Sequence, residues 1–255
     1  MTTVFDAYAR YYDLFYGDKD YEREAGFVDR IIRGHVDKPT SLLDLGCGTG
    51  RHARAFADRG YQVTGIDQST EMIARAKSQQ TDSPATDPDF HCGDVRHFRT
   101  ERKFDAVTSL FHVVSYQTSN ADLLATLATA KAHLAPGGVF VFDCWYGPAV
   151  LRDLPAVRHR CLDDGTHRVR RIAEPCLHPN ENLVDVHYSV LVTDTRSGQC
   201  EELAETHHLR YLFLPELQAY LAMQDMTLLT CRRWLDDAEP GLDSWNVYCV
   251  AGHAP

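Results

Sequence analysis

No apolar run in the 255-residue chain approaches the ~18 residues a membrane-crossing helix requires; a charged or polar residue interrupts each one first. A membrane partner is therefore not expected. The eight cysteines (47, 92, 144, 161, 176, 200, 231 and 249) include no CxxC pair, and the thirteen histidines include no HxxxH pair. Neither spacing typical of structural zinc is present, so no metal is expected. Lysine and arginine total 26 against 36 aspartates and glutamates, a formal charge of −10. That deficit of positive charge argues against a protein that wraps a nucleic-acid backbone, where a basic footprint is expected. The N-terminal residues carry neither a basic stretch nor an apolar one, and internal repeats and low-complexity tracts are absent. A hydrophobic fraction of 44% at this length can build a core without disulfide staples. The expectation is a cytoplasmic protein with reduced thiols that acts on a small molecule.

The first half of the chain alternates strand and helix patterns. Strands are expected near residues 41–45, 61–66, 104–111 and 139–142. Helices are expected over 51–58 and 71–77, with Ser69 as N-cap, and after a capping box at residues 119–122. Strand and helix in alternation give a parallel sheet covered on both faces. From Val157 to Phe213 the period changes to two, with turn signals at residues 163–165, 178–180 and 196–198. Val184, Val186, Tyr188, Val190 and Val192 share one face, which predicts an antiparallel meander with one covered side. A helix over 214–223 and strands near 226–234 and 244–251 then return to the first pattern. The expected division is a helical lid segment over 1–38, a core over 39–150, a β insertion over 151–213 and a return to the core sheet over 214–255. Phe5, Tyr8, Tyr12 and Phe15 have helical spacing, so the N-terminal segment could exclude water as a lid. The open face of the meander is a candidate dimer interface.

The strongest motif is the strand-to-turn sequence Asp44-Leu45-Gly46-Cys47-Gly48-Thr49-Gly50. Glycines let the chain bend sharply and let a ligand touch the backbone. Asp67 ends the second strand, where a carboxylate can accept both hydroxyls of a ribose. Asp94 follows the third strand, where it can take an adenine amino group, and Met72 can pack on a purine. A nicotinamide fingerprint needs a third glycine where this chain has Arg51, and no Walker motif occurs. An acid before the turn suits a sulfonium or ammonium better than a pyrophosphate.

In these motifs the chain resembles the class I S-adenosylmethionine-dependent methyltransferases, over roughly residues 40–145 and 214–252. The resemblance implies an α/β, Rossmann-like sheet of seven mostly parallel strands, the last antiparallel, with the meander inserted after the fifth. It implies S-adenosyl-L-methionine as cofactor and S-adenosyl-L-homocysteine as product. Gly46, Gly48 and Gly50, with Cys47 between them and Asp44 before them, would line the methionine moiety. Asp67 would hold the ribose, Gln68 and Met72 would sit beside the adenine, Asp94 and Val95 would bind its edge, and Leu110 would cap the sulfonium side. Tyr12-Asp13-Leu14, Lys19-Asp20-Tyr21 and the meander are further similar to the sugar N,N-dimethyltransferases acting on nucleotide-linked amino sugars. That likeness implies that Tyr12 and Tyr21 close over the cofactor. The chain departs from it at Tyr116, which stands where those enzymes carry a functional histidine. Amine and hydroxyl acceptors therefore both stay open.

The acceptor should meet the carboxyl ends of the parallel strands. His112 and Tyr116 follow the fourth strand, Trp145 and Tyr146 follow the fifth, and His207 points to the covered face of the meander. His112, Tyr116 and His207 are the candidate catalytic residues, with Trp145 and Tyr146 beside the substrate. Arg158 and Arg170 belong to a local arginine excess that could grip a diphosphate.

Overall fold

The computed structural model describes residues 15–17, 19–79 and 87–254. Tyr12, the other aromatics before Phe15 and most of the stretch 81–89 lie outside the described residues. Helix α1 (Tyr21–His35) leads into β1 (Ser41–Leu45), α2 (Arg51–Ala57), β2 (Gln62–Asp67), α3 (Thr70–Ser78), β3 (Asp89–Cys92) and β4 (Phe104–Ser109). A 3-10 turn (Val113–Tyr116), α4 (Asn120–His133), β5 (Leu134–Tyr146) and α5 (Gly147–Arg152) follow. The meander is β6 (Arg158–Asp163), β7 (His167–His178), β8 (Leu183–Asp194) and β9 (Cys200–Leu212). The chain closes with α6 (Leu214–Ala222), β10 (Met226–Arg233) and β11 (Asn246–His253).

The core sheet runs β3-β2-β1-β4-β5-β11-β10, with β11 antiparallel to both its neighbours. Alternation along each strand feeds two cores. Leu43, Leu45 and Val107 face α4 and α6, whereas Leu42 and Ala106 face α1, α2 and α3. The expected caps are present: Ser69 Oγ accepts from the Met72 amide at 3.2 Å and Ser119 Oγ from the Asp122 amide at 3.0 Å. Pro136-Gly137-Gly138 does not break the chain between α4 and β5. It lies inside β5, where the pairing with β4 slips between Phe104↔Leu134 and Ala106↔Val139.

The expectation of seven strands covers only this core; the connected sheet has eleven. Strand β4 ends at Ser109, opposite Phe142, so beyond that point β5 has a free edge on the β4 side. Strand β9 takes that edge through Trp145↔Tyr211 and Tyr146↔Leu212, while β11 holds the other side at Asn246↔Trp145. The meander β9-β8-β7-β6 thus stands over the carboxyl ends of the parallel strands. Its covered face carries Val169, Val184, Val186, Val190 and Leu209, and Phe15 is buried against the same face. Among the described residues, no helix is long and apolar enough to cross a membrane, and no group of three or more His, Cys, Asp or Glu side chains is placed to hold a metal ion.

Candidate active site

A cavity of about 660 Å³ opens between the strand ends and the meander, within the usual range for a small-molecule site. One end is made by the glycine turn. Gly46 has φ +80°, and a Cβ there would come within 2.6 Å of the Val113 side chain. Gly48 has φ +55°, and a Cβ there would meet nothing within 4 Å, so the backbone faces open space that a ligand can enter. Asp67 fixes this turn: its Oδ2 accepts from the Gly48 amide and its Oδ1 from the Ser69 amide, both at 2.9 Å. Each oxygen keeps a further lone pair for a hydroxyl donor. Burial pushes the Asp67 carboxyl up, and the two amides oppose the shift.

Met72, Val95 and Leu110 are buried and supply apolar wall beyond Asp67. Asp94 lines the same end, but Arg96 grips both of its oxygens (Nε–Oδ1 2.9 Å, Nη2–Oδ2 2.6 Å) and also reaches Asp122 Oδ1 at 2.8 Å. The Arg96 guanidinium holds the Asp94 carboxyl below its ordinary range. Any adenine amine must therefore share Asp94 with Arg96. Cys47, Gln68 and Tyr21 also line the cavity. Asp44 and Gly50 stand behind its wall: Asp44 is buried and accepts from Thr108 Oγ1 at 2.8 Å, and Gly50 caps α2.

The other end is built from side chains. Phe111 (φ +64°) and His112 (φ +67°) are both left-handed, which non-glycine residues adopt at a cost of ~1–2 kcal/mol each. Asp143, buried on β5, stabilises that turn by accepting from the His112 amide at 3.0 Å. Its other oxygen stands 2.8 Å from His112 Nδ1, close enough for an ion pair but off the line of a good hydrogen bond. Tyr116 Oη lies 2.8 Å from His207 Nδ1, and His207 Nε2 lies 3.2 Å from Glu205 Oε2. Trp145 and Arg158 also line this end.

Two expected substrate residues lie elsewhere. Tyr146 packs into the core shared by α4 and α6. Arg170 is exposed on the outer face of β7, because the strand alternates and turns Arg171 inward instead. Arg171 packs its guanidinium 4.7 Å from the Phe15 ring and 5.1 Å from the Tyr188 ring. Asp143, Glu205 and Arg171 were not expected from sequence. Glu205 and Arg171 had a usable signal, since each shares strand parity with a residue of the covered face. Asp143 showed only as an acid closing an apolar strand.

Residues 42–138 match the family described as "Methyltransferase domain". The chain is 34% identical over 185 residues to the dTDP-3-amino-3,4,6-trideoxy-alpha-D-glucopyranose N,N-dimethyltransferase of Streptomyces venezuelae, covering 72% of this chain and 76% of that protein. The chain belongs to the S-adenosylmethionine-dependent methyltransferases. It is also 34% identical, over 76% of its length and 74% of the relative's, to the dTDP-3-amino-3,6-dideoxy-alpha-D-glucopyranose N,N-dimethyltransferase of Streptomyces fradiae. The SAM-bound structure of CalS10, an amino pentose methyltransferase from Micromonospora echinaspora, superposes with a TM-score of 0.75 at 27% identity, covering 98% of both chains.

This methyltransferase uses S-adenosylmethionine, and the residues present fit it. The open backbone at Gly48 leaves room for an amino-acid chain, the Asp67 carboxylate can accept from ribose hydroxyls, and Met72, Val95 and Leu110 form an apolar slot. The group supplies a methyl carried on an electrophilic sulfonium. The protein's part is to bind, align and keep water out.

Proposed function

We propose that the enzyme methylates an amino group on a nucleotide-linked amino sugar. The observation that carries this reading is the second half of the cavity, where Tyr116, His207 and His112 face the same space as the glycine turn. The similarity to two dTDP-amino-sugar N,N-dimethyltransferases supports the sugar as acceptor. In this reading Asp67, Gly46, Cys47, Gly48, Gln68, Met72, Asp94, Val95 and Leu110 hold the cofactor, and Tyr21, with Tyr12, covers it. Trp145 gives the sugar ring a flat wall, and Arg158 is the guanidinium at the cavity for a diphosphate. Arg171 is committed to Phe15 and Tyr188, so its role is to hold residues at the N-terminal segment against the meander.

In-line transfer needs a neutral nitrogen lone pair pointed at the methyl, so the protein must orient the amine and accept its proton. His112 and the Tyr116–His207 pair are the groups at hand. We also take the exposed face of the meander as the contact of a homodimer, and the cytoplasm as the site of action. The deciding experiment supplies S-adenosylmethionine and dTDP-3-amino-3,6-dideoxy-alpha-D-glucopyranose and follows S-adenosylhomocysteine release and product mass. Gain of methyl groups on the amino sugar, with none on the matching sugar that carries a hydroxyl in place of the amine, is the expected result. Turnover of the hydroxyl sugar alone would replace the amine by an oxygen acceptor.

A further inference from the structure

From the chain of contacts Tyr116–His207–Glu205 we infer that Glu205, which does not line the cavity, sets the direction of a proton path leading away from the acceptor through Tyr116 and His207. The inference rests on the acceptor reading above for its chemistry, but its geometry stands without it.

Strand β9 places Glu205 and His207 two residues apart on the covered face, and the 3-10 turn after β4 brings Tyr116 to the same point. His207 is 3% exposed, and its ring and the Tyr188 ring meet in a T-shaped contact with centroids 4.7 Å apart. An ionised carboxylate only accepts hydrogen bonds. Glu205 Oε2, 3.2 Å from Nε2, therefore selects the tautomer with hydrogen on Nε2. Nδ1 is then a bare acceptor, and the Tyr116 hydroxyl 2.8 Å away must donate to it. With its hydrogen committed to Nδ1, the phenolic oxygen, which lines the cavity, meets a donor there as an acceptor. One carboxylate thus turns two ambidextrous groups into a one-way series, and a hydroxyl that could have donated into the cavity is made to accept.

The step balances. An acceptor arriving as R–NH3+ passes a proton to Tyr116 Oη as the Tyr116 proton moves to His207 Nδ1. The imidazolium so formed is offset by the Glu205 carboxylate. The freed nitrogen lone pair makes the N–C bond as the C–S bond breaks with its electron pair going to sulfur, leaving R–NH2+–CH3. A second methyl requires loss of one proton from that product after the His207 imidazolium has returned its own proton to solvent. Among the described residues, Tyr188 on β8 packs against the His207 ring, and Arg171 on β7, Arg158 on β6 and Tyr16 act in turn on Tyr188. Burial pushes the Tyr188 phenol up to about 12, so it stays neutral and does not compete for the proton.

The test begins without substrate. In protein carrying 15N-histidine, the His207 signals are assigned by comparison with His207→Asn, and long-range proton–nitrogen correlations report which nitrogen bears hydrogen. Wild type should show hydrogen on Nε2, and Glu205→Ala should populate the Nδ1 tautomer. Hydrogen on Nδ1 in wild type, or no response to Glu205→Ala, would overturn the inference whatever the acceptor is. The second arm measures turnover of dTDP-3-amino-3,6-dideoxy-alpha-D-glucopyranose by Glu205→Gln. We expect kcat to fall on the order of tenfold near pH 6, where the amine arrives protonated, and to recover towards wild type near pH 9, with the KM for S-adenosylmethionine unchanged. Glu205→Asp should restore part of the loss. An equal loss at every pH would mark Glu205 as structural and overturn the proton path. The expected tautomer with no turnover of any amino sugar would support the hydrogen-bond chain and overturn the acceptor reading alone.

Discussion

The two ends of the cavity are made of different material. At the cofactor end the wall is the main chain of a glycine turn, steadied by Asp67, which lies 19 residues from the amide it accepts. At the acceptor end the wall is side chains from β5, β7, β8, β9 and the turn after β4, with the Tyr116–His207 contact spanning 91 residues. Backbone cradles bind what every member of a chemistry shares, and they depend on residue types that few substitutions imitate. Side-chain walls assembled by strand pairing can be rebuilt one residue at a time without disturbing the sheet. A common donor at one end and a particular acceptor at the other is the division of labour this construction suits.

Substitutions at the cofactor end should therefore have the largest effects. Gly46→Ala puts a Cβ 2.6 Å from Val113 on a residue with φ +80°. Clash and left-handed strain together should cost about 2–4 kcal/mol in denaturant unfolding and abolish S-adenosylmethionine binding. Adding Val113→Ala should recover the clash but not the strain; full recovery would mean that the φ angle is unimportant. Asp67→Ala leaves the sheet intact but removes the carboxylate that holds the turn and lines the cavity. Loss of two charge-assisted hydrogen bonds should weaken cofactor binding roughly 100-fold by calorimetry. A change of less than about threefold would mean that the cofactor does not use Asp67.

At the acceptor end the sharpest contrast lies between adjacent arginines on one strand. Arg171→Ala removes stacking on Phe15 and Tyr188 and should cost about 1 kcal/mol, lowering Tm by roughly 2–4 °C. Arg170→Ala, on the exposed face, should leave Tm unchanged. Equal shifts from both would mean that β7 does not present its faces as described.

The same contrast explains what could be read from sequence. The glycine turn, Asp67 and Asp94 sit at fixed short distances from strand ends, so local pattern alone placed them together at one end of the cavity. Period two also identified the covered face of β8. At residues 170 and 171, however, composition shows an arginine excess without saying which side chain turns inward, and that parity is fixed only by the pairing of β7 with β8. Tyr146 misled for a related reason: the end of β5 turns alternate side chains to opposite faces, so being at a carboxyl end is not enough to reach the cavity. The 91-residue contact of Tyr116 with His207 depends on β9 taking the edge that β4 vacates, which no local signal announces.

The smallest expected effect is one of pH, and it separates two carboxylates within the cofactor end itself. Burial raises Asp67 above the ordinary 3.8, whereas the hydrogen bonds from Arg96 lower Asp94 below it. A raised carboxyl is protonated in the folded chain before the unfolded one, so ionised Asp67 costs stability at neutral pH, and acidification through its raised value relieves that cost. The lowered Asp94 has the opposite sign: the stability from its pair with Arg96 is present above 3.8 and is lost as pH falls through its lowered value. Falling pH should thus neutralise Asp67 and weaken cofactor binding while the Asp94–Arg96 pair still holds. Stepwise calorimetry alongside circular dichroism should show affinity declining at a higher pH than the fold. Asp67→Asn should flatten the binding curve without moving the unfolding transition to higher pH, which distinguishes Asp67 from Asp44, also raised by burial but standing behind the wall. Affinity and fold lost in a single step would show that the cofactor end has no titration of its own.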